Sequence, residues 1–149
     1  MYLLDTNILS ELMRLKPNPH LEARFESEQA ELFTSAICVE EIRYGAKIGP
    51  AGNKLWERAC ADVLPHLVVL ALDQALAIAA GDLRAEWKKQ GTPVGYGDGL
   101  IAATAKAKNL VLVTRNVRHF GHVPGLKIEN WFEPFPPSFP SGTVSTGLS

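Results

Sequence analysis

The sequence predicts an α/β fold in which a mostly parallel central sheet of about four to five strands is flanked by helices. The first observation behind this prediction is that short apolar runs alternate with amphipathic helical patterns. The second is the length of 149 residues, which suits one domain with a sizeable core. The third is an ordinary composition, 46% hydrophobic and 21% charged, without any apolar run near the ~20 residues of a membrane span.

The first half of the chain divides at prolines and glycines. An apolar strand over residues 2–5 leads into a helix over residues 8–15, which stops at Lys16 because the residue before a proline avoids the helical region. Gly49 to Gly52 form a second break. Between these breaks we expect a polar helix over 18–28, a short strand over 32–35 and a helix over 36–48.

In the second half, a helix over residues 53–64 ends at Pro65, and an apolar strand follows over 67–72. Asp73 is placed to cap a long helix that ends near Gly91. After a Gly/Pro loop, residues 98–108 form a helix that Asn109 terminates in a left-handed conformation. The last expected elements are a strand over 110–114, one helical turn over 117–120 and a strand over 126–129.

The composition changes near residue 133. Residues 1–132 form the expected domain, and residues 133–149 form a Pro/Ser/Gly-rich tail that we expect to be flexible, with Phe135 and Phe139 available to dock. Cys38 and Cys60 are too few for a disulfide framework, and no secretory signal is visible, so a cytoplasmic location is expected. The formal charge of −1 leaves any nucleic acid to be bound by a local patch.

Two aspartates stand where an α/β sheet places its ligands, beyond the C-terminal ends of the strands. Asp5 follows the first strand, although taken alone it is more often a helix N-cap in such a position. Asp98 begins the helix over 98–108, where the positive end of the helix dipole favours an anion. N-capping explains Asp98 equally well, so neither residue identifies a site by itself.

Glu41 adds a third carboxylate, in the helix that follows the 32–35 strand. Helical spacing separates it from Glu40, which shares a face with basic residues and is expected to be solvated. The side chains that share the face of Glu41 are uncharged: Ile37, Cys38, Tyr44, Gly45 and Ile48. A carboxylate in an apolar stripe is costly unless it is paired or binds a metal, the alternative being a boundary glutamate that reaches solvent.

If the strands are parallel neighbours, Asp5, Glu41 and Asp98 converge on one edge of the sheet. Three close carboxylates repel one another and raise their pKa values, and a hard divalent cation relieves that repulsion. Histidine and cysteine ligands with zinc spacing are absent. The sequence therefore predicts a Mg²⁺ site, with Mn²⁺ as the alternative.

Four segments resemble a known family. LLDTN at the start, SAICVEEIRYG in the middle, GDGLIAATAKAKNLVLVTRN followed by HF, and the closing GLKIENW are similar to the PIN-domain ribonucleases. Within these the chain resembles the VapC-type toxins of type II toxin–antitoxin systems, the VapC and FitB-like group. The likeness spans residue 1 to about residue 132 with similar order and spacing. It implies a PIN-like fold and a metal-dependent endoribonuclease.

The resemblance also implies residue roles. Asp5, Glu41 and Asp98 match the family's metal-binding acids, and Thr114 matches a threonine at the edge of the site. Many members carry a fourth acid in or just after the TRN segment, where this chain has Asn116 and His119 instead.

This departure leaves the fourth ligand, and any second metal, open. Asn116 is the expected fourth catalytic residue, donating an amide oxygen or orienting a water. His119 is a candidate phosphate contact or a plain surface residue.

The expected chemistry is phosphodiester hydrolysis at a magnesium ion held by Asp5 and Asp98. Glu41 would hold or deprotonate the attacking water, or complete the coordination through other waters. Arg115 and Arg118 lie beside these residues in sequence order and are expected to bind RNA phosphates. Solvated surface is an equally good explanation for both arginines, and also for Arg43 and Lys47 at the expected rim.

Two competing functions differ in class. A phosphatase of the haloacid dehalogenase type needs a second aspartate two residues after the first, where this chain has Asn7. A catalytically idle PIN-fold protein-binding module is favoured by the missing fourth acid. Three acids gathered at one edge argue against the idle module, because a purely structural role does not call for them.

The resemblance implies partners as well. These are an RNA substrate, a cognate VapB-type antitoxin and a second copy of the chain in a homodimer, with no membrane. The first helix offers apolar side chains for an interface, or for covering the chain's own sheet: Ile8, Leu9, Leu12 and Met13.

Overall fold

The structure, a computed structural model, describes residues 1–134 and confirms the α/β prediction. A five-stranded sheet runs in the order β3-β2-β1-β4-β5, with every pair of neighbours parallel. The strands are β1 (Tyr2–Leu4), β2 (Leu32–Ser35), β3 (Val68–Leu70), β4 (Val111–Val113) and β5 (Ile128–Glu129). The predicted tail, with Phe135 and Phe139, falls almost wholly outside the described residues.

Seven α-helices connect these strands within residues 1–134. They are α1 (Thr6–Leu12), α2 (Pro19–Ser27), α3 (Ala36–Ile48), α4 (Gly52–Arg58), α5 (Gln74–Lys89), α6 (Tyr96–Ala107) and α7 (Val117–Phe120). The bounds of β2, α3 and α7 are those predicted. Asn109 has the expected positive φ of 55°, and Asp73 caps α5 by accepting from the Leu76 N–H at 2.8 Å.

Several elements differ from the predictions, three of them in the first half of the chain and at the sheet edge. The first helix ends at Leu12 rather than residue 15. The predicted helix over 53–64 is α-helical only to Arg58, then continues as a π-helical segment, Ala59–Val63, and a 3₁₀ turn, Leu64–His66. The predicted strand over 67–72 shortens to β3 at the edge of the sheet. Its side chains are not a buried run, because Val68 and Val69 are 41% and 44% exposed.

The order of the strands reverses beside β1. The chain moves outward from β1 through β2 to β3, then crosses to β4 on the other side of β1 and ends at β5. Leu4, the last residue of β1, pairs with Thr34 on one side and Val113 on the other. Open parallel sheets bind ligands beyond the carboxyl ends of their strands at such a reversal. The topology therefore predicts a ligand site at the residues that follow Leu4 and Val113.

The core forms around the central strands. Leu3, Leu4, Leu112 and Val113 are completely buried. The apolar side chains of the first helix pack into this same core: Ile8, Leu9, Leu12 and Met13 are all at least nine-tenths buried. These side chains cover the chain's own sheet, as one of the two expectations held. The other expectation, that they form an interface with a partner, is wrong. No helix among residues 1–134 is long and apolar enough to cross a bilayer.

Candidate active site

Asp5 lies at the reversal point and connects three elements. Its backbone N–H donates to the Val113 carbonyl at 3.0 Å, which continues the pairing of β1 with β4 by one residue. Its Oδ1 caps α1 by accepting from the Thr6 N–H at 2.7 Å, and its Oδ2 accepts from the Thr114 hydroxyl at 2.9 Å. Asp5 is thus a helix cap, as the commoner role predicts, and its second oxygen is also held in place by β4.

The electrostatic surroundings of Asp5 are unfavourable for its charge. Burial raises the pKa of this carboxyl, since only 4% of the residue is exposed. Hydrogen bonds from Thr6 and Thr114 lower the pKa in part, while the negative charges of Asp98 and Glu41 raise it again. A cation beside Asp5 would relieve both the desolvation and the repulsion.

Glu41 is held between α1 and α6. Its Oε1 accepts a 2.6 Å hydrogen bond from the Thr6 hydroxyl, and its Oε2 lies 3.5 Å from where a Cβ on Gly97 would stand. The predicted apolar surroundings are wrong in part. Cys38 is buried beneath the carboxylate, whereas Tyr44 and Ile48 are 62% and 69% exposed. Glu41 is consequently half-buried, with one side open to solvent.

Asp98 is not a helix cap. The helix begins two residues earlier than predicted, at Tyr96, with Gly95 in the N-cap position, so Asp98 lies in the first turn of α6. Its Oδ2 is paired with Nε2 of His119 at 2.9 Å, and both side chains are about two-fifths exposed. Asp98 is therefore not the N-cap, and its side chain lines the cleft at the reversal point while it contacts His119.

The three carboxylates line one cleft of about 360 Å³ beyond the carboxyl ends of β1 and β4. Across residues 1–134 no three acidic, histidine or cysteine side chains close on a common point as ready-made metal ligands. A larger groove, of about 750 Å³, includes the first residues of β2 and β3, Leu32 and Val68, and lies away from these acids. The carboxylate cleft is the place where the strand topology and the acids coincide.

Asn7 supports a metal site in this cleft, a role that the sequence does not predict. Its side-chain oxygen is buried, lacks a hydrogen-bond partner among the described residues, and belongs to a residue that lines the cleft. A buried acceptor without a donor is costly, and a cation or its water shell would satisfy it. Carboxylate and amide oxygens together form the hard donor set that Mg²⁺ and Mn²⁺ prefer.

The predicted substrate and catalytic residues separate into two places. Thr114 is completely buried against Asp5, and Arg115 lines the cleft with its guanidinium 4.8 Å from the ring centre of Phe132. Asn116 and Arg118 line a neighbouring groove instead. Asn116 is at the N-cap position of α7, and its backbone N–H donates to the Thr114 hydroxyl at 3.1 Å. Asn116 lines the neighbouring groove and not the carboxylate cleft, and its catalytic role stays a prediction.

Sequence reasoning missed two contacts that shape the cleft. Thr6 joins Asp5 and Glu41 through its backbone and its hydroxyl, and its signal was only its position directly after a strand-end aspartate. The Asp98–His119 pair joins residues distant in sequence, which no local pattern shows. Cys38 is completely buried, and burial raises the pKa of its thiol to about 11, which disfavours the thiolate that a nucleophile requires.

Comparisons with known proteins agree on one family. A model described as "PIN domain" matches residues 2–126. The "tRNA(fMet)-specific endonuclease VapC" of Salmonella typhimurium is 38% identical over 133 residues, covering 87% of this chain and 97% of that protein. "Toxin FitB" of Neisseria gonorrhoeae is 36% identical over 126 residues, covering 80% of this chain and 91% of that protein.

Solved structures give the same result in three dimensions. The crystal structure of DNA-bound VapBC from Salmonella typhimurium matches with a TM-score of 0.78 and 36% identity, covering 87% of this chain and 97% of that one. The FitAcB structure from Neisseria gonorrhoeae matches with a TM-score of 0.77 and 33% identity, covering 89% and 99%.

Proposed function

This chain belongs to the PIN-domain family, and from that premise we propose that it is the toxin of a toxin–antitoxin pair, a metal-dependent endoribonuclease that hydrolyses RNA phosphodiester bonds. The observation that carries the proposal is the carboxylate cleft, where Asp5, Glu41 and Asp98 come together from three elements. The relatives named as VapC ribonucleases, at up to 38% identity over most of both chains, support RNA as the substrate.

The proposed metal site uses Asp5 and Asp98 as ligands, with Glu41 and the buried oxygen of Asn7 completing the oxygen surroundings. A bound Mg²⁺ or Mn²⁺ would supply the positive charge that offsets the phosphodiester and acidifies water. The chain's own contribution is rigidity. Asp5 is fixed at both oxygens before any cation arrives, so little reorganisation is needed when it binds.

Glu41 is the proposed general base. Its Oε1 accepts from the Thr6 hydroxyl, which leaves Oε2 to accept a proton from the attacking water. The Thr6 hydrogen bond fixes the direction in which Oε2 points. Arg115, whose guanidinium is at the cleft, is the proposed donor to the non-bridging oxygens of the scissile phosphate.

The proposed partners are a cognate antitoxin and a second copy of the chain. Several similar structures are solved as VapBC or FitAB complexes, which supports the antitoxin. Large apolar side chains are exposed on α3 and at the start of α6, which supports a homodimer face on these two helices: Tyr44, Ile48 and Tyr96.

The test is cleavage of unfractionated bacterial tRNA by purified chain in Mg²⁺, Mn²⁺ or EDTA. The relatives named as tRNA-specific endonucleases make tRNA the first substrate to try. Asp98→Asn and Glu41→Gln are the test variants, and Asp82→Asn, an exposed acid on α5, is the matched control. We expect cutting that requires metal, persists in the control and disappears in the test variants. Equal inertness of wild type and variants toward tRNA and ribosomal RNA would favour the idle binding module.

A further inference from the structure

RNA presents an electrostatic difficulty to the carboxylate cleft. Only the scissile phosphate gains from a metal ion there, while its neighbours along the strand meet an acidic surface. The cleft is lined by four carboxylates and two arginines: Asp5, Glu11, Glu41 and Asp98 with Arg14 and Arg115. The chain as a whole has a formal charge of −1, so no general positive field compensates. The flanking phosphates need a separate surface that offers hydrogen-bond donors and no carboxylates.

Such a surface lies directly beside the cleft. We call it the histidine groove, a cavity of about 610 Å³ between the loop 91–94 and residues of α7 and its following turn: Asn116, Arg118, His119, His122 and Val123. Its lining contains one guanidinium and two imidazoles and, within residues 1–134, no carboxylate. Neither Arg118 nor His122 forms an ion pair with an acid of the described chain. Their donors are therefore available to a ligand.

His119 joins the histidine groove to the carboxylate cleft. It lines the groove while its Nε2 contacts Oδ2 of Asp98 at 2.9 Å, so the two cavities meet at this pair. Its ring packs edge-to-face on the buried Phe120 with the centres 5.2 Å apart, which fixes its orientation. A strand bound at the carboxylates therefore reaches the groove by passing His119.

The opposite wall of the groove is ordered by its own hydrogen bonds. Thr92 donates both its backbone N–H, at 2.9 Å, and its hydroxyl, at 3.1 Å, to the carbonyl of Trp87. Gly91 has a φ of 80°, the left-handed conformation that ends α5 and turns the chain into this wall. Trp87 itself is 2% exposed, so the wall is attached to the core.

We propose that the histidine groove binds the RNA phosphate next to the scissile one, with Arg118 and His122 as its donors. Asn116 lines the same groove, and in this proposal its amide donates to the adjoining sugar or base, a binding role beside the catalytic one predicted. Resting on the proposed ribonuclease function, the inference adds where the rest of the substrate lies and in which direction it leaves the cleft.

The experiment separates binding from cleavage. Binding is measured in EDTA by fluorescence anisotropy of a labelled oligouridylate of about twelve nucleotides, and cleavage of tRNA is measured in Mg²⁺. The test protein carries Arg118→Gln with His122→Gln. The matched control carries Lys54→Gln with His20→Gln, which likewise removes one basic side chain and one imidazole, at exposed positions outside both cavities.

We expect the test variant to bind the oligouridylate about tenfold more weakly, with a salt slope reduced by about 1, and to raise KM for tRNA more than it lowers kcat. The control should match wild type in each measurement. An unchanged Kd and KM in the test variant would overturn the proposal that the groove binds RNA. If wild type binds RNA through Arg118 and His122 but cleaves none, the ribonuclease proposal fails while the groove stands.

Discussion

The carboxylate cleft and the histidine groove are neighbours that differ in their side chains, since the cleft has four carboxylates and the groove has none among the described residues. The acids of the cleft are positioned from the central strands, because the buried Asp5 is bonded to both the end of β4 and the start of α1. The groove is built from exposed arginine and histidine side chains on the short helix α7 and the turn after it. From this difference we infer that the cleft performs the chemistry and that the groove contacts the RNA backbone.

Two contacts link the two regions. One is the pair of Asp98 and His119, and the other is the Thr114 hydroxyl, which donates to Asp5 and accepts from the Asn116 N–H. If the cleft performs the chemistry and the groove binds the RNA, changes in the cleft should affect kcat, and changes in the groove should affect KM.

Asp98→Asn should lower kcat by about a thousandfold in Mg²⁺, because it removes a charged ligand and leaves the cleft with fewer negative charges to hold the cation. Stability should change little, since Asp98 is two-fifths exposed. Single-turnover cleavage and thermal unfolding of the same preparation measure both. His119→Gln, which keeps a donor toward Asp98, should by comparison retain most of kcat. A larger loss in His119→Gln than in Asp98→Asn would reverse the assignment of the pair.

Thr114→Val should reduce both stability and activity, because the hydroxyl donates to Asp5 and accepts from the Asn116 N–H inside a fully buried site. Loss of this buried donor should cost about 1–3 kcal/mol in the free energy of unfolding and lower kcat about tenfold. Urea unfolding and cleavage kinetics provide the readouts. Thr92→Val, which loses a hydroxyl bond in the wall of the groove, is the contrasting variant and should affect KM rather than kcat.

Thr6→Val should lower kcat by roughly tenfold at most, since it frees Glu41 to adopt orientations in which Oε2 no longer faces the attacking water. The backbone cap from Thr6 N–H to Asp5 remains, so the fold should persist. Pre-steady-state cleavage measures the effect, and Thr6→Ser should recover most of it by restoring the hydroxyl. Failure of serine to restore activity would indicate that the methyl group, not the hydrogen bond, is what matters.

The smallest predicted effect concerns stability against pH in EDTA. Because burial and neighbouring acids raise the folded-state pKa of Asp5 above its unfolded value, the folded protein binds this proton more tightly. Its contribution to stability is therefore present at low pH and is lost as the pH rises through the folded pKa. Urea unfolding from pH 3 to 7 should show the difference between Asp5→Asn and wild type moving in favour of the variant. Added Mg²⁺ should reverse that trend for wild type only; a trend of the opposite sign would contradict the electrostatic account of the cleft.

The parts of the fold that the sequence predicted well have local causes. The bounds of β2 and α3 were correct because the Ser35 hydroxyl caps the helix, accepting from the Ile37 N–H at 3.0 Å, and Gly49 ends it. The start of α6 was misplaced because its N-cap, Gly95, has no side chain to signal it. The edge position of β3 was not predicted, since an apolar run does not distinguish an edge strand from a central one.

For the site, strand ends and helix faces were enough to select Asp5, Glu41 and Asp98 as neighbours. They were not enough to separate Arg115 from Arg118, although these lie only three residues apart. The turn into α7 carries one into the cleft and the other into the histidine groove. The pairing of Asp98 with His119 and the unpartnered oxygen of Asn7 depend on tertiary contacts, which no sequence spacing encodes.

The most direct test of the central claim is diffraction from crystals of the chain soaked in Mn²⁺, measured for the anomalous signal of manganese. The account predicts a peak in the cleft within bonding distance of carboxylate oxygens of Asp5 and Asp98, and its loss in Asp98→Asn crystals. A peak bound only elsewhere, or none in the wild-type cleft at saturating Mn²⁺, would contradict the assignment of these carboxylates as a metal site.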